Sequence, residues 1–303
     1  MSLRMKDLIS LDDITAADLA ELTRPVARAP YLAGSVAAVV LPAGAYADRL
    51  AAAAAVAALG GIPWPVSPAD LLSSAPDQPG MAAPLAAHAG LVLAGLPSQD
   101  GLRRLAQLVA APVVSLGSST ERPLHALADM QVLVRALGGL AGRRLAYVGL
   151  AGPARYSLAR ACALAGVELA VTGPGTATSL AEAVSGADAL YLGTWTDRNT
   201  PALLAAARRA ALTSFRLTPK VLGLARPGAV VLHEGPCRPG LEVDGRLADA
   251  HRCLLGQQQR GLAGTLQEVI VALLSPSSGG SPPAEYGVVR TGPARLGAAT
   301  VPG

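Results

Sequence analysis

Lysine is nearly missing from this chain: Lys6 and Lys220 are its only examples in 303 residues, so 23 of the 25 basic side chains are arginines. Aromatic residues are also scarce, at 3% with a single phenylalanine, Phe215, so a core has to be built from Ala, Leu and Val. Cysteine occurs three times, at Cys162, Cys237 and Cys253. That count is odd and the spacing wide, which excludes a disulfide framework and a Cys-x-x-Cys metal knuckle. Long apolar runs are lacking too. The longest, Leu50 to Ile62, is mostly alanine and too short to span a bilayer. Met1 to Asp12 alternates charged and apolar residues without the apolar stretch of a signal peptide, so the expectation is a cytoplasmic protein with no membrane partner. Charge is sparse, at 15% with a net +4, and the arginine pairs 103–104, 143–144 and 208–209 have no aromatic neighbours, so no nucleic-acid partner is expected. What is abundant is apolar surface: 51% of residues, enough to force collapse and exclude disorder over the whole chain.

The remaining pattern alternates helix and strand, which predicts an α/β fold with parallel sheets. A first helix runs from a cap at Asp12 or Asp13 to about Arg28, with Leu19 and Leu22 on one face. Strands are predicted at Ser35–Leu41, Leu91–Ala94 and Pro112–Ser115. A long alanine helix stops at Gly60-Gly61, a helix follows at Leu102–Ala110, and Ser67–Gly80 reads as a loop. The helix Pro123–Leu137 ends at Gly138-Gly139, which marks a domain junction. The rhythm then restarts, with strands at Arg144–Gly149, Glu168–Thr172, Ala189–Leu192 and Ala229–His233. Helices are predicted at Tyr156–Ala165, Ser179–Val184, Leu217–Leu224 and Gln257–Leu274. The expected division is a domain over 1–130, a second over 131–274, and a Ser/Gly/Pro-rich flexible tail over 275–303.

Several blocks are more specific than this rhythm. Arg122-Pro123-Leu124-His125-Ala126-Leu127-Ala128-Asp129 precedes the strand at Arg144, and Arg155-Tyr156-Ser157-Leu158 follows it. Then come Ala187-Asp188-Ala189-Leu190-Tyr191, Leu217-Thr218, His233-Glu234-Gly235-Pro236 and Gly240-Leu241-Glu242-Val243. In that order the chain resembles the aspartate/ornithine carbamoyltransferase family over roughly residues 5–275, nearer the aspartate branch. That branch carries His-Pro-Thr-Gln-Ala-Leu-Leu-Asp at the first block and His-Pro-Gly-Pro with a following Arg-Gly-x-Glu later. The resemblance implies two parallel-sheet α/β domains, an interdomain cleft, and a trimer whose neighbouring subunit completes each site. It also implies carbamoyl phosphate held by the first domain, an amino acid held by the second, and attack of an amine on the carbamoyl carbon.

The residues that this chemistry uses are mostly absent. A phosphate dianion wants backbone N–H groups at a helix N-terminus together with arginines. The family's Ser-Thr-Arg-Thr falls on Ala45, Tyr46, Ala47 and Asp48, which removes both hydroxyl clamps and the arginine and adds a carboxylate. The arginine after the third strand falls on or near Gly95, and the lysine lent by a neighbouring subunit has no counterpart between Ser67 and Gly80. His and Gln of the first block become Arg122 and His125, and the Arg-x-Gln of the second domain falls on Thr194-Trp195-Thr196. At about 1.5–3 kcal/mol per charge-assisted bond, losing roughly four or five costs on the order of five decades in affinity.

What remains defines the candidates. His233, Glu234 and His125 are the candidate catalytic groups, and Tyr46, Asp48, Arg49, Arg122, Arg155 and Arg238 the candidate substrate-binding groups. Each has a plainer alternative. Arg122 is either an anion binder or a surface arginine, His125 an acid–base group or a packing histidine, Glu234 a base or a solvated turn residue, and Arg49 half of a salt bridge. Arg155 and Arg238 suit a carboxylate ligand, and Cys237 beside Arg238 is either an activated thiol or a buried spectator. The four histidines lack zinc-ligand spacing, and the glycine pattern fits neither a P-loop nor a dinucleotide fold, so no metal and no cofactor are expected. The expected function is a divergent aspartate carbamoyltransferase homologue, repurposed to a small-molecule ligand in the cleft and assembled as a homotrimer. A non-catalytic partner in a hetero-oligomer with an active homologue, and an atypical active carbamoyltransferase, are the alternatives.

Overall fold

The computed structural model describes residues 5–24, 29–72, 82–197, 199–248 and 252–275. The expected tail beyond Ser275, most of the Ser67–Gly80 loop and His251 lie outside them; the first helix, expected to reach about Arg28, already ends at Leu22. Among the described residues, eight strands form two four-stranded sheets, parallel throughout. The first holds β1 (Val36–Val40), β2 (Ile62–Val66), β3 (Ala89–Gly95) and β4 (Val113–Gly117) in the order β2-β1-β3-β4. The second holds β5 (Arg144–Val148), β6 (Glu168–Thr172), β7 (Ala189–Leu192) and β8 (Val230–His233) in the order β6-β5-β7-β8. One topology is therefore built twice, as the expected two-domain α/β class requires.

The strands read as continuous apolar runs because both faces are covered. Along β1, Ala37 and Val39 face a core that runs through both halves, while Ala38 and Val40 face a smaller cluster on the outer side. The helices are α1 (Ala16–Leu22), α2 (Tyr46–Ala58), α3 (Pro68–Leu72), α4 (Ala83–His88), α5 (Gln99–Leu108) and α6 (Pro123–Leu137) in the first half. They continue with α7 (Pro153–Ala165), α8 (Leu180–Val184), α9 (Ala202–Leu212), α10 (Pro219–Leu222), α11 (Gly245–Ala248) and α12 (Leu255–Leu274). No helix among the described residues is long and apolar enough to cross a membrane.

Helix α6 begins and ends where its sequence says. Pro123 occupies the first turn, where its missing N–H costs nothing, and Gly138 closes the helix at φ +72°. The start of α1 differs from expectation. Asp12 and Asp13 lie in a separate 3-10 turn capped by Ser10, and α1 is capped by Thr15, whose side chain and that of Asp18 bond each other's backbone N–H. The predicted Ser67–Gly80 loop opens instead with α3, and the helix predicted at Leu217–Leu224 shortens to α10. Strand β2 and helix α9 are not among the predicted elements. In β2 (Ile-Pro-Trp-Pro-Val) the N–H of Ile62 and the carbonyl of Val66 bond toward β1, so Pro63 and Pro65 fall on the free edge, where a missing N–H is harmless.

Helix α12 leaves the second sheet and packs on α6 and α2 of the first half. Gln131 of α6, inside that contact, donates to the Leu22 carbonyl and to Glu268 of α12 and accepts from Thr265 and Arg135. This polar cluster and the continuous core hold α1, α6 and α12 together.

Candidate functional site

In open α/β sheets, ligand sites form beyond the carboxyl ends of the strands. Here the residues that follow β1, β4 and β8 meet there. Asp48 sits in the first turn of α2, after β1; Arg122 and His125 open α6, after β4; Glu234 follows β8. His125 Nε2 lies 3.0 Å from Asp48 Oδ1 and 2.9 Å from Arg122 Nη2, and Arg122 Nη1 lies 3.8 Å from Glu234 Oε1. The backbone of Arg122 is tied to the second half as well, its N–H donating to Ser157 Oγ at 2.8 Å. Four of the nine candidates are thus gathered into one chain of charge running between the two sheets.

His125 is contested. Its Nε2 can accept from Arg122 or donate to Asp48, but not both, and its Nδ1 is buried with no partner. Burial first, and then the Arg122 charge, hold the His125 pKa below the usual imidazole value against the opposing pull of Asp48. For Asp48, burial would raise the carboxyl, but the His125 hydrogen bond and the His125 and Arg122 charges outweigh it and the pKa falls. The ordinary state at neutral pH is therefore an ionised Asp48 beside a neutral imidazole.

The turn after β8 is held from α12 and α6. Gln258 clamps the His233 backbone on both sides: its Oε1 accepts the His233 N–H and its Nε2 donates to the His233 carbonyl, each at 3.1 Å. The same Nε2 donates to Asp129 Oδ1 at 2.7 Å, and Tyr191 donates to Asp129 Oδ2 at 2.8 Å. Burial raises Asp129 to about 6 against those two hydrogen bonds. Glu234 is fixed by the Thr194 N–H, 3.1 Å from Oε2. The His233 ring turns inward: Nδ1 accepts the Gly235 N–H at 2.7 Å, Nε2 has no partner, and burial lowers the pKa to about 4.

The other candidates lie elsewhere. Tyr46 is 64% exposed on the first turn of α2. Arg49 donates from Nη2 to the Leu41 carbonyl at 2.6 Å, securing the end of β1, and makes no salt bridge among the described residues. Arg238 donates from Nη1 to Thr196 Oγ1 at 2.6 Å. Arg155 is half-buried at the start of α7; its charge and that of Glu234 act in opposite senses on the Tyr147 hydroxyl, whose pKa burial raises. Gln258 did not stand out in the sequence, and Thr194, Ser157 and Glu242 stood there only inside longer blocks, without a role of their own. Their roles were not legible because each acts through a partner distant in the chain. Asp129 was visible only as the last letter of its block.

The chain has known relatives. Residues 175–261 match the family model described as aspartate/ornithine carbamoyltransferase, Asp/Orn binding domain. The ornithine carbamoyltransferase of Parafrankia sp. is 28% identical over 90% of this chain and 96% of its own length. The crystal structure of ornithine carbamoyltransferase from Thermus thermophilus superposes with a TM-score of 0.80 at 25% identity, covering 89% of this chain and 99% of that one. Along most of its length the chain is similar to the ornithine and aspartate carbamoyltransferases. Both branches are represented among its relatives. The aspartate carbamoyltransferase catalytic subunit of Moorella thermoacetica is 32% identical, over 51% of this chain and 55% of that protein.

Three further positions in this fold bear on the candidate site. Ala45, at the N-cap of α2, supplies no side-chain hydrogen bond. At Gly95, the end of β3, even a Cβ would meet Leu41 Cδ2 at 2.6 Å. In the segment after β7, Trp195 and Thr196 are each only 2% exposed, filling space rather than presenting charge.

Proposed function

We propose that this relative of the carbamoyltransferases no longer uses carbamoyl phosphate and acts on a different small metabolite in the interdomain cleft. The observation that carries this reading is the Asp48 carboxylate, paired with His125 in the first turn of α2, where the family resemblance puts the phosphate-binding residues. A phosphate there meets a like charge, at about 4 kcal/mol for each unit pair roughly 4 Å apart under an effective dielectric near 20. Arg122 does not offset this, since it already faces Glu234 and His125. The cleft suits a neutral or cationic group, with His125 and Glu234 as acid–base groups and Asp48 and Arg122 as binding groups. Tyr46, Arg49, Arg155 and Arg238 lie around it, and an amino-acid moiety is the natural ligand for the Arg155 side. The same reading divides the chain near residue 130, with α12 returning to the first domain, and makes the protein cytoplasmic.

Assembly is part of the proposal. Tyr46 and Leu50 on α2 and Ile62 and Trp64 on β2 are 64%, 67%, 51% and 63% exposed, which is costly for large apolar side chains on neighbouring elements. That surface supports a homotrimer, or a hetero-oligomer with an active homologue should the protein be non-catalytic.

Titration calorimetry of the full chain with carbamoyl phosphate, and with a bisubstrate phosphonate, tests the reading. The expected result is no saturable heat at millimolar ligand. Saturable binding in the micromolar range, weakened by Arg122→Ala, would instead make the protein an atypical active carbamoyltransferase.

A further inference from the structure

The inward-turned His233 belongs to a second group that the cleft does not use. One ring nitrogen of His233, the Cys237 sulfur and a Glu242 carboxylate oxygen lie within 4.8 Å of one another, the histidine and glutamate buried and the cysteine half-buried. They come from one turn, in the pattern His-x-x-x-Cys-x-x-x-x-Glu, folded back so that Glu242 accepts the N–H groups of Arg238 (2.8 Å) and Trp195 (3.4 Å). These contacts aim the carboxylate and leave lone pairs for another partner. The buried His233 Nε2 without a hydrogen-bond partner is an independent sign that something is missing, since an unpaired buried polar atom costs about 1–3 kcal/mol.

We propose that His233, Cys237 and Glu242 form a site for a borderline divalent cation, with zinc as its ligand. A thiolate excludes the hard cations magnesium and calcium, while imidazole, thiolate and carboxylate together are a zinc set. Zinc bonds of about 2.0–2.3 Å bring tetrahedral ligand atoms to roughly 3.3–3.6 Å of one another. The trio must therefore tighten, and half-buried Cys237 is the member with room to move. Three protein ligands would leave a fourth position open. One consequence is specific. Whether Nδ1 binds the metal or carries the ring proton while Nε2 binds it, Nδ1 can no longer accept from Gly235, so loading releases the Gly235 amide. The proposal does not depend on which metabolite the cleft takes.

Cobalt(II) titration of the purified full chain is the test, followed by displacement with zinc. One equivalent should bind with a thiolate-to-cobalt charge-transfer band, and zinc should abolish it. Cys237→Ser should remove the band and weaken zinc by more than the roughly 10–100-fold typical of losing an outer-shell partner. Cys162→Ser, in the core shared by both halves, should leave both unchanged. In unaltered protein, zinc should slow alkylation of Cys237 and shift the Gly235 amide resonance, which keeps the test open if a variant misfolds. Absence of the band, its survival in Cys237→Ser, or a Gly235 amide indifferent to zinc overturns the site.

Discussion

Gly173→Ala should abolish folding or lower stability by more than about 4 kcal/mol, placing it among the rare large single-residue effects. A Cβ at Gly173 would stand 2.0 Å from the Gly149 carbonyl oxygen and 3.0 Å from its carbon. Both are backbone atoms at the ends of adjacent strands, where Gly149 N–H donates to the Thr172 carbonyl at 3.0 Å. No rotamer change relieves that overlap; β5 and β6 would have to separate at the end that feeds α7 and Arg155. Gly264→Ala is the matched control. Nothing lies within 4 Å of its added Cβ, and it sits inside α12, so alanine should raise stability by about 1 kcal/mol. Urea unfolding of both variants checks the pair, and a stable, cooperatively folding Gly173→Ala protein would refute the close approach.

The second large effect is a pH dependence at the α6–α12 contact. Burial raises Glu268 to about 7 against the Arg135 charge. A carboxyl raised in the folded state binds its proton more tightly there than in the unfolded chain. Its relative contribution is therefore full below the unfolded value near 4.5 and is lost as pH rises through about 7. The shift of roughly 2.5 pH units corresponds to about 3 kcal/mol at alkaline pH. Glu268→Gln keeps an acceptor for Gln131 and removes the charge, so it should stabilise the protein by up to about that amount at pH 8 and hardly at all at pH 4. The measurement is the difference between the two proteins' unfolding free energies across pH. The difference is needed because Asp129, raised to about 6, loses stability in the same direction, whereas His233, lowered to about 4, loses it as pH falls below 6.5. A difference that does not vary with pH would show that Glu268 is ionised and solvated in the folded protein.

Much of the fold was legible because local chemistry and tertiary demand agree. The apolar runs at β1, β3, β5 and β7 admit little but strands buried on both faces, and Pro123 and Gly138 bracket α6 whatever surrounds it. Where the two disagree, the sequence misleads. Two prolines argue against a strand at β2, yet an edge position makes them harmless. Helix α9 is buried only at Ala205 and Leu212 among its residues, so little core packing demands a helix there.

For the site, the chain by itself determined the composition of the cleft. Asp48 in the first turn of an alanine helix, Arg122 and His125 at the head of α6, and Glu234 after a buried strand all follow from residue order. It also leaves Ala45 without a hydroxyl and Gly95 without a guanidinium, whatever the fold. Only the tertiary structure decided which of these groups meet. Asp48, His125 and Glu234 come from three separate strand ends, and their encounter depends on how two sheets are set against α6 and α12. The same packing turned His233 away from the cleft toward Cys237 and Glu242, because Gln258 on a distant helix fixes its backbone. Sequence order fixes the groups available within each element; contacts between elements far apart in the chain fix the distances, and chemistry depends on the distances.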